Sequence, residues 1–187
     1  MVKNKVSAIL SELEVVLDHV DEAVCHQLID TLIQAKQENN KVYCAGAGRS
    51  LLMIRTFAMR LMHLGYPSYV VGETATPSIQ TNDVLIFGSG SGETGALTIM
   101  MKKAKEMGAK IILFTYSPNS TLGKAADVVI EIPIHKSDSK MQPNGSVFEQ
   151  SMLVLCDALV VELLDAGKYL QDIEINAFIK QLHANLE

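Results

Sequence analysis

The chain has 187 residues, 48% of them hydrophobic and 20% charged, with a mean hydropathy of +0.19. That length suits one ordinary domain with a substantial core; the apolar content excludes a disordered chain and leaves the surface short of charge for a monomer. Sixteen basic against 21 acidic residues give a net charge of −5. The Lys and Arg residues are scattered rather than striped, which argues against nucleic acid as a partner. No apolar run approaches the roughly 18 residues of a membrane span, and the start lacks the apolar centre of a signal peptide, so the expected compartment is the cytoplasm, with no membrane partner. Cys25, Cys44 and Cys156 are an odd count without CxxC spacing, which reads as reduced core thiols rather than a disulfide framework or zinc site.

In chain order, Val6, Ile9, Leu10, Leu13, Val16, Leu17 and Val20 recur at helical spacing. A second helical stretch covers about residues 21–37, with Asp21 as N-cap, so the chain opens on a helical hairpin over about 3–38. The period then changes. Val42-Tyr43-Cys44-Ala45 is a short strand closed by Gly46-Ala47-Gly48, and a helix is expected over residues 49–64. Strands follow at residues 69–71, 84–87, 111–114 and 128–130, separated by a glycine-rich turn with a helix to about Met107 and a short helix at 120–125. Five short apolar runs alternating with helices predict an α/β fold, a doubly wound five-stranded parallel sheet flanked by helices, over about 41–133. Residues 133–145 are polar, and C-terminal helices over about 145–187 complete a single domain spanning 1–187.

Two helices are apolar nearly all round, one carrying Leu51 to Ile54, Phe57, Met59 and Met62, the other Val147, Phe148 and Met152 to Cys156. A helix on a sheet needs one apolar stripe, so a second implies a homo-oligomer interface; a central position in the domain is the alternative.

In a parallel sheet, ligands bind beyond the carboxyl ends of the strands, where helices begin. The turn Gly88-Ser89-Gly90-Ser91-Gly92-Glu93-Thr94 occupies that position. Its glycines admit an anion close to the backbone and its hydroxyls add donors, which predicts a phosphate cradle. With no Gly-Lys-Ser/Thr, the anion is a monophosphate rather than a nucleotide triphosphate. Gly90 to Gly95 matches G-x-G-x-x-G, but no Asp or Glu occurs between Glu106 and Asp127 to hold a ribose, so the dinucleotide reading loses its second half. A plain turn with Ser91 as N-cap is the competing account. Arg49 and Ser50 stand at the neighbouring strand end; a cation at a helix start wants an anionic ligand or a carboxylate partner. Glu149 lies in the first turn of an apolar helix, where the dipole favours the ionised form that a base needs. By spacing alone, Ser146-x-x-Glu149 is more readily a capping box. His183 and His63 are the remaining groups that titrate near neutrality, and Asp127, Glu131 and His135 are too scattered for a metal site.

Taken together, Gly46-Ala-Gly-Arg-Ser50, Phe57-Ala-Met-Arg-Leu-Met-His63, Gly88-Ser-Gly-Ser-Gly-Glu-Thr94, Pro143-Asn-Gly-Ser-Val-Phe-Glu-Gln150 and His183-Ala-Asn-Leu-Glu187 resemble the sugar isomerase (SIS) domain family, and within it the 6-phospho-3-hexuloisomerases. The resemblance runs nearly end to end. It implies a flavodoxin-like three-layer sandwich, a homotetramer, and isomerisation of D-arabino-3-hexulose 6-phosphate to D-fructose 6-phosphate with no metal or organic cofactor. It also implies coupling to a 3-hexulose-6-phosphate synthase in the ribulose monophosphate route of formaldehyde fixation. By position, Ser50, Ser89, Gly90, Ser91, Gly92, Glu93 and Thr94 would bind the substrate phosphate and neighbouring hydroxyls, with Arg49 beside them. Glu149 would be the proton-transfer base, and His183 a second catalytic group reaching its own or a neighbouring subunit's site. Another phosphosugar isomerase, or a non-catalytic phosphosugar-sensing module, shares the loop; the sensor has no need of Glu149.

Overall fold

The computed structural model describes residues 1–134, 141–166 and 175–185, with the side chains of Ile175, Asn176 and Phe178 left aside. Helices α1 (Val2–Leu17) and α2 (Glu22–Gln37) form the opening hairpin, and the Asp21 carboxylate accepts the Ala23 N–H at 2.9 Å, the expected cap. Strand β1 (Val42–Gly46) leads into α3 (Gly48–His63) and β2 (Ser68–Val70). Then come β3 (Val84–Gly88), α4 (Gly95–Glu106), β4 (Lys110–Thr115), α5 (Thr121–Ala125) and β5 (Val128–Glu131), with α6 (Ser146–Ala166) and α7 (Ile175–Leu182) last. The expected terminal helix falls partly outside the described residues, as does His135.

All strand pairs are parallel, in the order β2-β1-β3-β4-β5. Alternating side chains feed two cores. Val42, Cys44, Ile86, Ile112 and Phe114 face α1, α2, α3 and α6, while Tyr43, Ala45, Leu85, Phe87 and Leu113 face α4 and α5. Phe57 of α3 meets Phe114 edge-on, with centroids 6.5 Å apart. Helix α3, which follows β1, and α4, which follows β3, therefore lie on opposite faces of the sheet. The direction of winding reverses between β1 and β3, and a crevice opens at their carboxyl ends.

The opposite rim of the sheet is pinned by acids. Asp83, 2% exposed, accepts the N–H groups of Lys41 and Gln80, each at 2.8 Å, and Asp127 accepts Ile111 N–H at 2.7 Å and Lys105 Nζ at 3.1 Å. Both apolar helices are core elements, yet each also turns large apolar side chains outward: Leu52 and Met59 on α3, Val154 and Val161 on α6. Cys44 and Cys156 are buried, Cys25 is half-buried, and none is in a disulfide. Burial pushes the Cys44 thiol up to about 12. No helix of the described residues is long and apolar enough to cross a membrane.

Candidate active site

Gly46 and Gly88 end β1 and β3 in register. Just beyond them α3 and α4 begin, and their N-cap residues, Ala47 and Thr94, make no side-chain cap hydrogen bond. Two positive helix ends with uncapped first turns thus converge on one crevice, a setting suited to an anion. A cleft of about 200 Å³ fills it. Ala47 and Ser50 line it from the start of α3, Ser89, Gly90, Ser91 and Thr94 from the loop after β3, Gly145, Phe148 and Glu149 from the start of α6, and Tyr116 from the end of β4.

The loop is held from behind by the end of β4 and the segment after it. The Gly90 carbonyl accepts the Thr115 hydroxyl at 2.7 Å and the Tyr116 N–H at 3.2 Å, and the Gly92 carbonyl accepts the Leu122 N–H at 3.0 Å. Two of the glycines are required sterically. A Cβ at Gly90 would stand 2.6 Å from the Tyr116 ring, and one at Gly92, where φ is +63°, would overlap the Ser120 hydroxyl. Ser91 is not the N-cap of α4: its hydroxyl accepts the Glu93 N–H at 3.3 Å, and the helix starts four residues later, after Thr94.

Glu149 does not form the capping box that its spacing favours. Ser146 N–H donates to the Pro143 carbonyl at 3.1 Å, and the Glu149 carboxylate turns instead to Arg49, accepting from Nη1 at 2.7 Å. The same Nη1 donates to the Ser146 hydroxyl at 2.9 Å. The question posed by Arg49 at a helix start is answered by a carboxylate, and that carboxylate is the candidate base. The Glu149 side chain is 12% exposed and that of Arg49 47%, so the pair sits at the mouth of the cleft, with the cation half in water.

Not every expected ligand points into the cleft. Glu93 turns away: its two carboxylate oxygens accept the Thr121 N–H at 2.8 Å and the Thr121 hydroxyl at 2.7 Å. These bonds hold its carboxyl below the usual range. Gly92 builds the turn but does not line the cleft. His183 lies elsewhere. It stacks on His63 at the far end of α3, with ring centroids 5.2 Å apart and planes at 15°. Arg49 is fourteen residues earlier on that helix, roughly 21 Å away at 1.5 Å per residue. Within one chain His183 and Glu149 are therefore not brought together. Sequence reasoning passed over Tyr116 and Phe148, whose rings meet edge-to-face at 5.7 Å and wall the cleft. The signal available was position, since Tyr116 is the first residue past the carboxyl end of β4.

This fold and crevice define a class, and the family comparison agrees: residues 35–162 match the SIS domain. The chain belongs to the SIS domain family. Among its relatives, the Bacillus subtilis 3-hexulose-6-phosphate isomerase is 39% identical over 86% of this chain and 88% of its own length. The Methanocaldococcus jannaschii protein of the same name is 42% identical over 73% and 72%. A solved structure of a hypothetical Methanococcus jannaschii protein, from which the function of 3-hexulose-6-phosphate isomerase was inferred, superposes with a TM-score of 0.84 at 33% identity, covering 98% of this chain and 99% of that one.

Proposed function

We propose that this chain is a sugar-phosphate isomerase that converts D-arabino-3-hexulose 6-phosphate to D-fructose 6-phosphate. The observation that carries the reading is the cleft itself: a carboxylate held by Arg49 faces the same space as a serine-rich loop at two helix N-termini. The names of its relatives supply the substrate.

The chemistry follows from those parts. The phosphate is the handle; loop N–H groups with Ser50, Ser89, Ser91 and Thr94 hold it, which fixes C2 and C3 in front of Glu149. Glu149 removes the C2 proton, the C2–H electrons form the C2=C3 bond, and the carbonyl pair moves onto O3. The product is a 2,3-enediolate. Arg49, half in water beside the base, donates to the developing oxyanion. Passing the O2 proton to O3 and returning the proton from Glu149 to C3 completes the 2-ketose. Because O6 is phosphorylated, the 3-ketose cannot close a five-membered ring through it, so no ring-opening acid is needed. His183, far from the cleft within one chain, enters this reading only from a neighbouring subunit of a homotetramer, an assembly consistent with the outward apolar residues of α3 and α6.

The test is a coupled assay in which a separate synthase makes the hexulose phosphate from formaldehyde and ribulose 5-phosphate, and fructose 6-phosphate is followed through glucose 6-phosphate to NADPH. Run in D2O, the enediol route places deuterium at C3 of the product to the extent that the proton on Glu149 exchanges with solvent before its return. A folded protein that binds sugar phosphates without turnover would instead be a sensor or an isomerase of another sugar.

A further inference from the structure

Glu93 is the one charged residue of the phosphate loop, and its place there is chemically awkward. A carboxylate aimed into a site for an anion would repel it. The structure turns it outward, onto a single residue 28 positions later: Thr121 donates both its N–H and its hydroxyl, at 2.8 and 2.7 Å. Each donor has a carboxylate oxygen of its own, a paired arrangement that an amide, with one oxygen and one NH2, does not reproduce.

The same segment grips the loop at two further points, through the carbonyls of Gly90 and Gly92. In a trans peptide, a carbonyl and the following N–H point in opposite directions. Drawing the Gly90 and Gly92 carbonyls back toward the segment after β4 therefore turns the N–H groups of Ser91 and Glu93 the other way, and that of Ser91, in the cleft wall, toward the space where an anion would sit. Glu93 closes this backing at its end nearest α4, directly before the N-cap Thr94.

From this arrangement we propose that Glu93 is a positioning residue: its clasp on Thr121 sets the orientation of the loop N–H groups that receive the substrate phosphate, and it does not touch the substrate. The inference rests on the phosphosugar reading of the cleft. Its consequence is a defined coupling. Glu93→Ala opens the whole clasp, whereas Thr121→Val removes the hydroxyl and leaves the backbone N–H bond in place, so Thr121→Val weakens binding less, and the double variant loses no more than Glu93→Ala alone.

The experiment is calorimetric titration of the full chain with D-fructose 6-phosphate, alongside hydrogen exchange of the amides in residues 89–95 and 116–122. Expected are about tenfold weaker binding in Glu93→Ala, a smaller loss in Thr121→Val, and recovery to within about twofold of wild type in Thr121→Ser, which keeps the hydroxyl. In turnover, the loss falls on KM. Exchange at Leu122, whose N–H donates to Gly92, accelerates in both clasp variants. Wild-type affinity in Glu93→Ala, or losses that add in the double variant, overturns the proposal. Absence of binding by the wild-type chain overturns the phosphosugar reading instead, and unchanged exchange in Glu93→Ala then still refutes the clasp.

Discussion

Replacing Glu149 by Gln separates chemistry from stability, because the two effects differ in size by a calculable margin. A positioned general base contributes about 10²- to 10⁴-fold, or roughly 2.7 to 5.4 kcal/mol of barrier. Glu149 is offered as the group for both proton transfers, so a fall in kcat of about 10³-fold is expected. The cost to the fold is much smaller. The new amide would keep an oxygen for the 2.7 Å bond from Arg49, and Arg49 is 47% exposed, so water takes up what the charge pair loses. An ion pair of this exposure contributes about 1 kcal/mol at most, which for a chain this long shifts Tm by about 2–4 °C. Glu149→Asp provides the geometric control. Withdrawing the carboxylate by one methylene moves it about 1.5 Å, and misplacement on that scale costs about 10²-fold. The coupled assay, read beside thermal unfolding, checks all three numbers. More than a tenth of wild-type turnover in Glu149→Gln would refute the assignment, as would a loss of turnover that only tracks unfolding.

Asp83→Ala tests the far rim: it removes the acceptor of two part-buried N–H donors, at about 1 kcal/mol each, so Tm should fall by several degrees while KM holds, and an unchanged Tm would refute the pinning role. In Gly90→Ala the new Cβ would stand 2.6 Å from the Tyr116 ring and 3.2 Å from Phe148, so the cleft wall must move and fructose 6-phosphate should bind about tenfold more weakly. Wild-type affinity would show that this wall is not part of the site. His63 is buried, its Nδ1 has no hydrogen-bond partner, and burial first, then His183 and Arg60, hold its imidazole below the ordinary 6.5. The folded state thus favours neutral His63 and the unfolded chain takes up the proton first, so stability is lost as pH falls below about 6.5. The drop in Tm between pH 7.5 and 5.5 should shrink in His63→Leu, and an equal drop would contradict this linkage.

The sheet was legible because its signals are local. Short apolar runs such as Val84 to Phe87, glycine turns and the Asp21 cap depend on neighbours a few residues apart, and the five expected strands match β1 to β5 to within one residue at either end. The glycine-rich turn after β3 was legible for the same reason, although what Gly90 and Gly92 make room for, the Tyr116 ring and the Ser120 hydroxyl, lies across elements. Local spacing misled where two partners competed for one group. Ser146-x-x-Glu149 has the form of a capping box, but Arg49, 100 positions earlier, displaces the local N–H because the winding of β1 and β3 carries it to the start of α6. Glu93 turned outward to Thr121, Tyr116 and Phe148 closing the cleft, and His183 stacked at the far end of α3 are likewise contacts across elements. Sequence by itself determined which segments are strands, which are helices and where the glycine-rich turn between β3 and α4 falls. Only the tertiary structure decided which side chains share that place, because strand order and crossovers set distances between residues that no local period encodes.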